Sequence, residues 1–330
     1  VMGDGFTLDS IKDYRDTIDS SLKYADKNST DPKEVNRYNN ENYVFWCNNV
    51  FEKFKDNINI IRIDTISLDE SIDQTLKDEK RNILDCHLEY LFTAPNYARV
   101  EQVLTNTKPL GITDLNDIDV LIIYVNDFIT SFGEYPAAIA DTFFPYGKKK
   151  GQDNCVVIIK KGEIANISHE LGHALVKLSD EYVMDNLLYK IFYNPQKIHN
   201  TSINCDNTNQ INQSKFRNFF NHGYENLNNI YKLAFFEGGV YNVTGIYRTS
   251  EYSLMNNKYK ANTNNEDILS HYHYNPISSY HIAASIITRI GVISFVLPKD
   301  LSITGNLEWQ TYPLSQFFSD FPPDKFVDPK

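Results

Sequence analysis

Apolar and polar positions follow two rhythms along this chain. Between Thr7 and Lys27 the residues Leu8, Ile11, Tyr14, Ile18 and Leu22 recur every three or four positions, which predicts an amphipathic helix with these side chains inward. A polar, Asn-rich stretch follows to about Asn40. Glu41–Lys55, with Val44, Cys47, Phe51 and Phe54 on one side, predicts a second helix, and Ala98–Leu104 a short one. The other rhythm is the apolar run. Ile58–Ile66 is a β-rich run, and Asp117–Asn126 and Val156–Ile159 read as buried strands. Asp69–Lys80 is charged and reads as a surface excursion. Lys160, Lys161 and Gly162 then turn the chain, and a helix opens at about Glu163, whose charge suits a helix N-terminus. Along it Ile164, Ile167, Leu171, Leu175 and Leu178 form one buried stripe. A last helix is expected from about Ser278, with a strand at Val292–Val296. The fold class is therefore α/β: a mixed, twisted sheet with flanking helices.

The segment between Phe128 and Asn154 is richer in Gly and Pro. Its middle, Ala137–Phe144, fits the edge strand of the sheet, where extended substrate backbone could pair; the alternative is an ordinary loop. Lys148, Lys149 and Lys150 read as a solvated turn. Asn200–Ser214 is Asn-rich and expected as a surface loop.

Off the buried stripe, the Glu163 helix carries His169-Glu170-Leu171-Gly172-His173, which fits H-E-x-x-H. On a helix the two imidazoles leave the same face about one turn apart. Two neutral ring nitrogens can then reach one Zn²⁺ at roughly 2.0–2.1 Å. Glu170 is offset around the helix and can take a proton from the attacking water as a general base.

Zinc of this type needs a third protein ligand. Asp180 is the nearest good candidate, and Glu181 competes with it. On a straight helix Asp180 would lie about 16 Å along the axis from His169, so the helix must stop or bend between about Val176 and Ser179. No Gly or Pro marks that break, although Ser179 and Asp180 are poor helix-interior residues. His222, His271, His273 and His281 are further candidates, with His271 and His273 spaced for one face of a strand.

The string from His169 to His173, six residues, and then Asp180-Glu181-Tyr182 resembles the active-site motif of the IgA-peptidase family of metzincin-like zinc proteases. Val1–Thr7 resembles that family's opening strand and turn, and Asn59–Ile63 and Val120–Asn126 its next two core strands. Glu237-Gly238-Gly239 and Gly245–Arg248 precede Ser253-Leu254-Met255, which resembles its Met-turn. The resemblance spans residues 1–297, a catalytic domain. Residues 298–330, rich in Pro, Phe and Tyr, read as a linker or the start of a following module.

The resemblance implies a zincin/metzincin-like fold with a lower subdomain bearing the Met-turn. It implies zinc ligands His169, His173 and Asp180, Glu170 as general base, and Met255 as the floor under the metal. It also implies a secreted or surface-attached bacterial endopeptidase whose candidate substrate is the hinge of the immunoglobulin A heavy chain. Two positions depart from the pattern. Val176 stands where relatives commonly carry Gly, and Asn256-Asn257 follow Met255, so no Tyr stands two residues after it. A transition-state phenol would come from elsewhere, with Tyr247 and Tyr259 as candidates. Two rival readings are a catalytically silent glycoprotein-binding module on this fold and a gluzincin-type peptidase with Glu225 or Glu237 as third ligand.

Composition narrows the partners. A chain of 330 residues with 42% hydrophobic residues can hold a sizeable core. Its net charge of −11 disfavours nucleic acid and anionic membrane surfaces. The longest apolar run, Ile282–Leu297, contains Arg289 and Gly291 and is too short to span a bilayer. The chain opens at Val1 on core-like sequence with no signal peptide, so it is expected to be a fragment of a longer protein. Cys47, Cys86, Cys155 and Cys205 form no C-x-x-C pair; their disulfide pattern is open, and Cys47 and Cys155 read as core thiols. N-x-S/T sequons begin at Asn28, Asn166, Asn200, Asn212 and Asn242. A glycan on Asn166, beside the histidines, would obstruct the site, which favours a host that does not glycosylate it.

Overall fold

The computed structural model describes residues 1–39, 43–68, 72–73, 84, 86–89, 92–94, 96–108, 111–112, 118–126, 128–129, 138–141, 155–183, 198, 202–221, 233–251, 253–259, 273–289 and 319–320. The expected strand at Val292–Val296 and nearly all of residues 298–330 lie outside them. The chain forms two compact units, Val1–Trp46 with Lys55–Ala174, and Cys47–Phe54 with Leu175–Lys330.

The first unit is built on strands β1 (Met2–Asp4), β5 (Val120–Val125), β7 (Ala138–Asp141) and β8 (Cys155–Lys160). Four short strands make two small pairs: β2 (Ile72–Asp73) with β6 (Phe128–Ile129), and β3 (His87–Glu89) with β4 (Phe92–Ala94). The main sheet runs β1-β5-β8-β7, parallel across its first three strands and antiparallel at β7. The expected mixed sheet and its edge strand are both present.

Strands β5 and β8 are apolar almost throughout because both faces are covered, the usual condition of parallel strands. Leu121, Ile123, Val156 and Ile158 pack with Met2, Ile63, Leu84, Val100 and Leu104. Val100 and Leu104 come from helix α4 (Tyr97–Thr107), the short helix expected at Ala98–Leu104. Tyr124, alternating with Ile123, stacks at 5.7 Å on Phe6, which meets Tyr14 of helix α1 (Ile11–Leu22) at 5.3 Å.

Three expectations need correction. Helix α1 is shorter than Thr7–Lys27, because Thr7–Ser10 form a turn in which Thr7 N donates to Ser10 Oγ at 3.0 Å. Leu8 is consequently 73% exposed rather than inward. Ile58–Ile66 forms no strand beyond the single bridge Met2–Ile63. Its continuation is tied to the β1 edge by side chains instead, with Gly3 N donating to Thr65 Oγ1 and Gly5 N to Ser67 Oγ, each at 3.0 Å. Among the described residues of the expected helix Glu41–Lys55, the α-helical ones are α3 (Asn49–Lys53), with Lys55 opening a 3₁₀ turn, and α2 (Pro32–Tyr38) precedes them in the Asn-rich stretch. Asn48 starts α3 by accepting from Val50 N at 3.0 Å, a cap that sets the boundary late. Val44, Cys47, Phe51 and Phe54 are nevertheless buried.

The second unit contains a three-stranded antiparallel sheet of order β10-β11-β9, from β9 (Cys205–Asp206), β10 (Phe236–Gly239) and β11 (Asn242–Arg248). The stretch expected as a surface loop is not one at 202–206, where Ser202, Asn204, Cys205 and Asp206 are fully buried. The helix Pro276–Arg289 begins two residues before the expected start and buries Ile277, Tyr280, Ile282, Ala283 and Ala284 completely. All four cysteines are buried and none is in a disulfide. Among the described residues no helix is long and apolar enough to cross a membrane.

Candidate metal centre

Strand β8 delivers the chain into the site. Gly162 at φ +90° allows the tight turn after the strand, and its N–H donates to the Tyr124 hydroxyl at 3.0 Å. A 3₁₀ turn, Ile164–Asn166, then runs into helix α5 (Ile167–Val176). The expected stripe is inward: Ile164, Ile167, Leu171, Leu175 and Leu178 are all buried. That anchoring fixes the rotation of α5 and so the direction of the face that carries the histidines.

His169 is buried and His173 half-buried, with their Nε2 atoms 3.1 Å apart. Tetrahedral ligation of zinc at about 2.05 Å sets its ligand nitrogens about 3.3 Å apart, so the pair stands close to ligand spacing. Two facing Nε2 atoms can share at most one proton. A cation between them satisfies both lone pairs.

Helix α5 ends at Val176, inside the window the ligand geometry demands. Lys177 makes the break in the left-handed conformation, φ +59°, one residue beyond Val176. The chain then extends. Ser179 N donates to Asn204 Oδ1 at 2.7 Å and Ser179 O accepts from Asn204 Nδ2 at 2.8 Å, so one amide side chain holds the new direction. Asp180 follows, 8% exposed. Its carboxylate and the two imidazoles present ligand atoms that all lie within 4.8 Å of one another. Among the described residues this is the one group of three or more His, Cys, Asp and Glu side chains placed to hold a metal ion. Two imidazole nitrogens and a carboxylate oxygen are a donor set that suits zinc.

Glu170 lies on α5 beside His169 and is 8% exposed. Glu181 does not compete with Asp180. It is fully buried, and its carboxylate accepts from Asn204 Nδ2 at 2.8 Å, Asn275 Nδ2 at 2.9 Å and the Ser253 hydroxyl. Burial pushes the Glu181 carboxyl above its ordinary range, and those donors pull it back. Glu181 N donates to Met255 O at 2.8 Å, which ties the turn carrying the fully buried Met255 to the residue after Asp180.

The other candidates lie elsewhere. Glu237 accepts from Gly245 N at 3.0 Å within its own hairpin, and the Tyr247 hydroxyl stands 3.5 Å from Glu237 Oε1. Tyr259 closes the 3₁₀ turn Leu254–Tyr259, and its side chain is outside the described residues. His273 is buried and accepts from Asn49 N at 3.3 Å through Nδ1, and His281 is buried. His222, Glu225 and His271 lie outside the described residues.

Sequence reasoning missed Tyr241. Its hydroxyl donates to Asp180 Oδ2 across 61 residues of chain. Burial and the neighbouring Asp180 push its phenol far up, so it remains a neutral donor. No local pattern marks it.

Neither the protein-family models nor the curated proteins compared with this chain match it.

Proposed function

We propose that the chain is a zinc-dependent endopeptidase with a zincin/metzincin-like catalytic fold. The convergence of His169, His173 and Asp180, with Glu170 on the same helix, carries this reading. His169 and His173 would hold the metal from α5, and Asp180 from the extended segment after it. Zn²⁺ held there would supply a Lewis acid for the scissile carbonyl and would acidify the attacking water. Glu170 takes that water's proton and delivers it to the leaving amine. Its burial keeps this carboxylate out of bulk water. No side-chain nucleophile is required, so no covalent acyl intermediate forms.

The substrate reading rests on the resemblance of the active-site string and the Met-turn to the IgA-peptidase family. It makes the immunoglobulin A hinge the first substrate to test and a secreted or surface-attached bacterial enzyme the expected setting. The purified chain, with and without a zinc chelator, is incubated with human IgA1, IgA2 and IgG, and the fragments are weighed by mass spectrometry. Chelator-sensitive cleavage of IgA supports the full reading. Cleavage of other proteins alone keeps the peptidase and removes the substrate. Elemental analysis of the unchelated protein, of Asp180→Ala and of Glu237→Ala tests the ligand set. Zinc lost from Glu237→Ala but retained in Asp180→Ala would overturn it.

A further inference from the structure

The hairpin joining β10 to β11 turns through Val240 and Tyr241, both with positive φ, +47° and +64°. Two-residue hairpin turns of this kind ordinarily take Asn or Gly, and a β-branched residue at positive φ is an outlier. Such a conformation persists only where its surroundings over-determine it. Here they do. Val240 N donates to Asp180 O at 2.9 Å and Tyr241 N to Tyr182 O at 3.1 Å, so the tip docks on the backbone on both sides of Glu181. The Tyr241 ring meets the Tyr182 ring edge-on at 5.3 Å, and its hydroxyl donates to Asp180 Oδ2.

We propose that Tyr241 is the positioning residue for Asp180, engaging one carboxylate oxygen so that the carboxylate is presented to the ion held by His169 and His173. This rests on the zinc reading above. The backbone contacts place Asp180, but a carboxylate still rotates about its side-chain bonds. A fixed donor on one oxygen removes that freedom. Outer donors to ligands commonly change metal affinity 10–100-fold. The strained tip fits this role: Gly in place of Tyr241 would relax the backbone and lose the phenol.

The test uses the full chain and Zn²⁺ competed against a chromogenic chelator. Tyr241→Phe removes one oxygen and keeps the ring against Tyr182. It is expected to bind Zn²⁺ roughly 10–100-fold more weakly, with the metal-free melting midpoint close to wild type and the visible bands of the Co²⁺-loaded protein altered. A packing role alone would move the melting midpoint and leave affinity and Co²⁺ bands unchanged, which overturns the proposal. Asp180→Ala provides the second arm. If Tyr241 acts through Asp180, adding Tyr241→Phe to Asp180→Ala weakens binding no further. A loss that persists undiminished in that background also overturns it. A wild-type chain that binds no Zn²⁺ removes the zinc reading and this role together. A wild-type chain that binds, with Tyr241→Phe equal to it, removes only the role of Tyr241.

Discussion

Glu170, Asp180 and Glu181 are three carboxylates on one short stretch of chain, and their surroundings divide the work. Glu181 has its oxygens filled by Asn204, Asn275 and Ser253, so it serves the fold. Asp180 shares its carboxylate between Tyr241 and the position facing the histidines. Glu170 is buried on α5 beside His169, and Gln in its place keeps the size and shape of the side chain while removing the base. Glu170→Gln should therefore keep Zn²⁺ and the melting midpoint while losing at least roughly two orders of magnitude in turnover, the scale of general-base catalysis. Steady-state rates beside zinc content check this. Undiminished turnover in a zinc-loaded variant would remove Glu170 from the mechanism.

Backbone conformation carries the argument from residues to elements. Lys177 and Val240 both have positive φ, each at a cost of roughly 1–2 kcal/mol for an L-residue. The two positions should respond oppositely to glycine. Lys177 is half-buried at the end of α5, so Lys177→Gly mainly releases strain. Against that relief stands the extra chain entropy of Gly, about 0.5–1 kcal/mol, leaving a net gain of about 0.5–1 kcal/mol. Val240 is 1% exposed and packs with Ile198, Cys205 and Ile246. Losing that side chain forfeits about 1.5–3 kcal/mol of burial in addition to the entropy of Gly, so Val240→Gly should be destabilising by about 1 kcal/mol or more. Chemical denaturation of both variants decides it, and equal signs would show that strain and burial have been weighed wrongly.

The same elements show what a sequence can reveal. Helix α5, its stripe and the window for its end follow from periodicity and from the reach of a metal ligand, both local constraints. Strands β5 and β8 are legible because a strand covered on both faces reads as an unbroken apolar run. The helix expected at Glu41–Lys55 misleads because Tyr43–Phe54 is buried nearly all round, and a full-burial segment imitates one face of a helix. Tyr241 and Asn204 were illegible for a different reason. Each acts on the Ser179–Asp180 bend from far along the chain, and no spacing records a contact made only by folding.

At the scale of the molecule, two buried histidines couple stability to acidity. Burial lowers His273 from 6.5 to about 4, and burial together with Lys215 lowers His281 from 6.5 to about 3. The geometry at His273 agrees. Nδ1 accepts from Asn49 N, so a second proton there would point at another N–H, and Nε2 is buried with no hydrogen-bond partner among the described residues. Both rings are thus neutral in the folded chain and protonate near 6.5 once unfolded. Their contribution is complete above that value. It declines as the pH falls, through about 4 for His273 and about 3 for His281, because over that interval the unfolded chain binds protons that the folded chain refuses. Each histidine should steepen the loss by about 1.4 kcal/mol per pH unit around pH 5. The measurement is denaturant unfolding between neutral pH and pH 5 with chelator present, so that release of metal from His169 and His173 does not enter. His273→Gln retains an acceptor for Asn49 N and removes one titrating group. Its stability should fall with acidity more gently than wild type, by close to one proton. Parallel slopes for the two proteins would mean that His273 takes up its proton within the fold, and that the Asn49 contact does not hold it neutral.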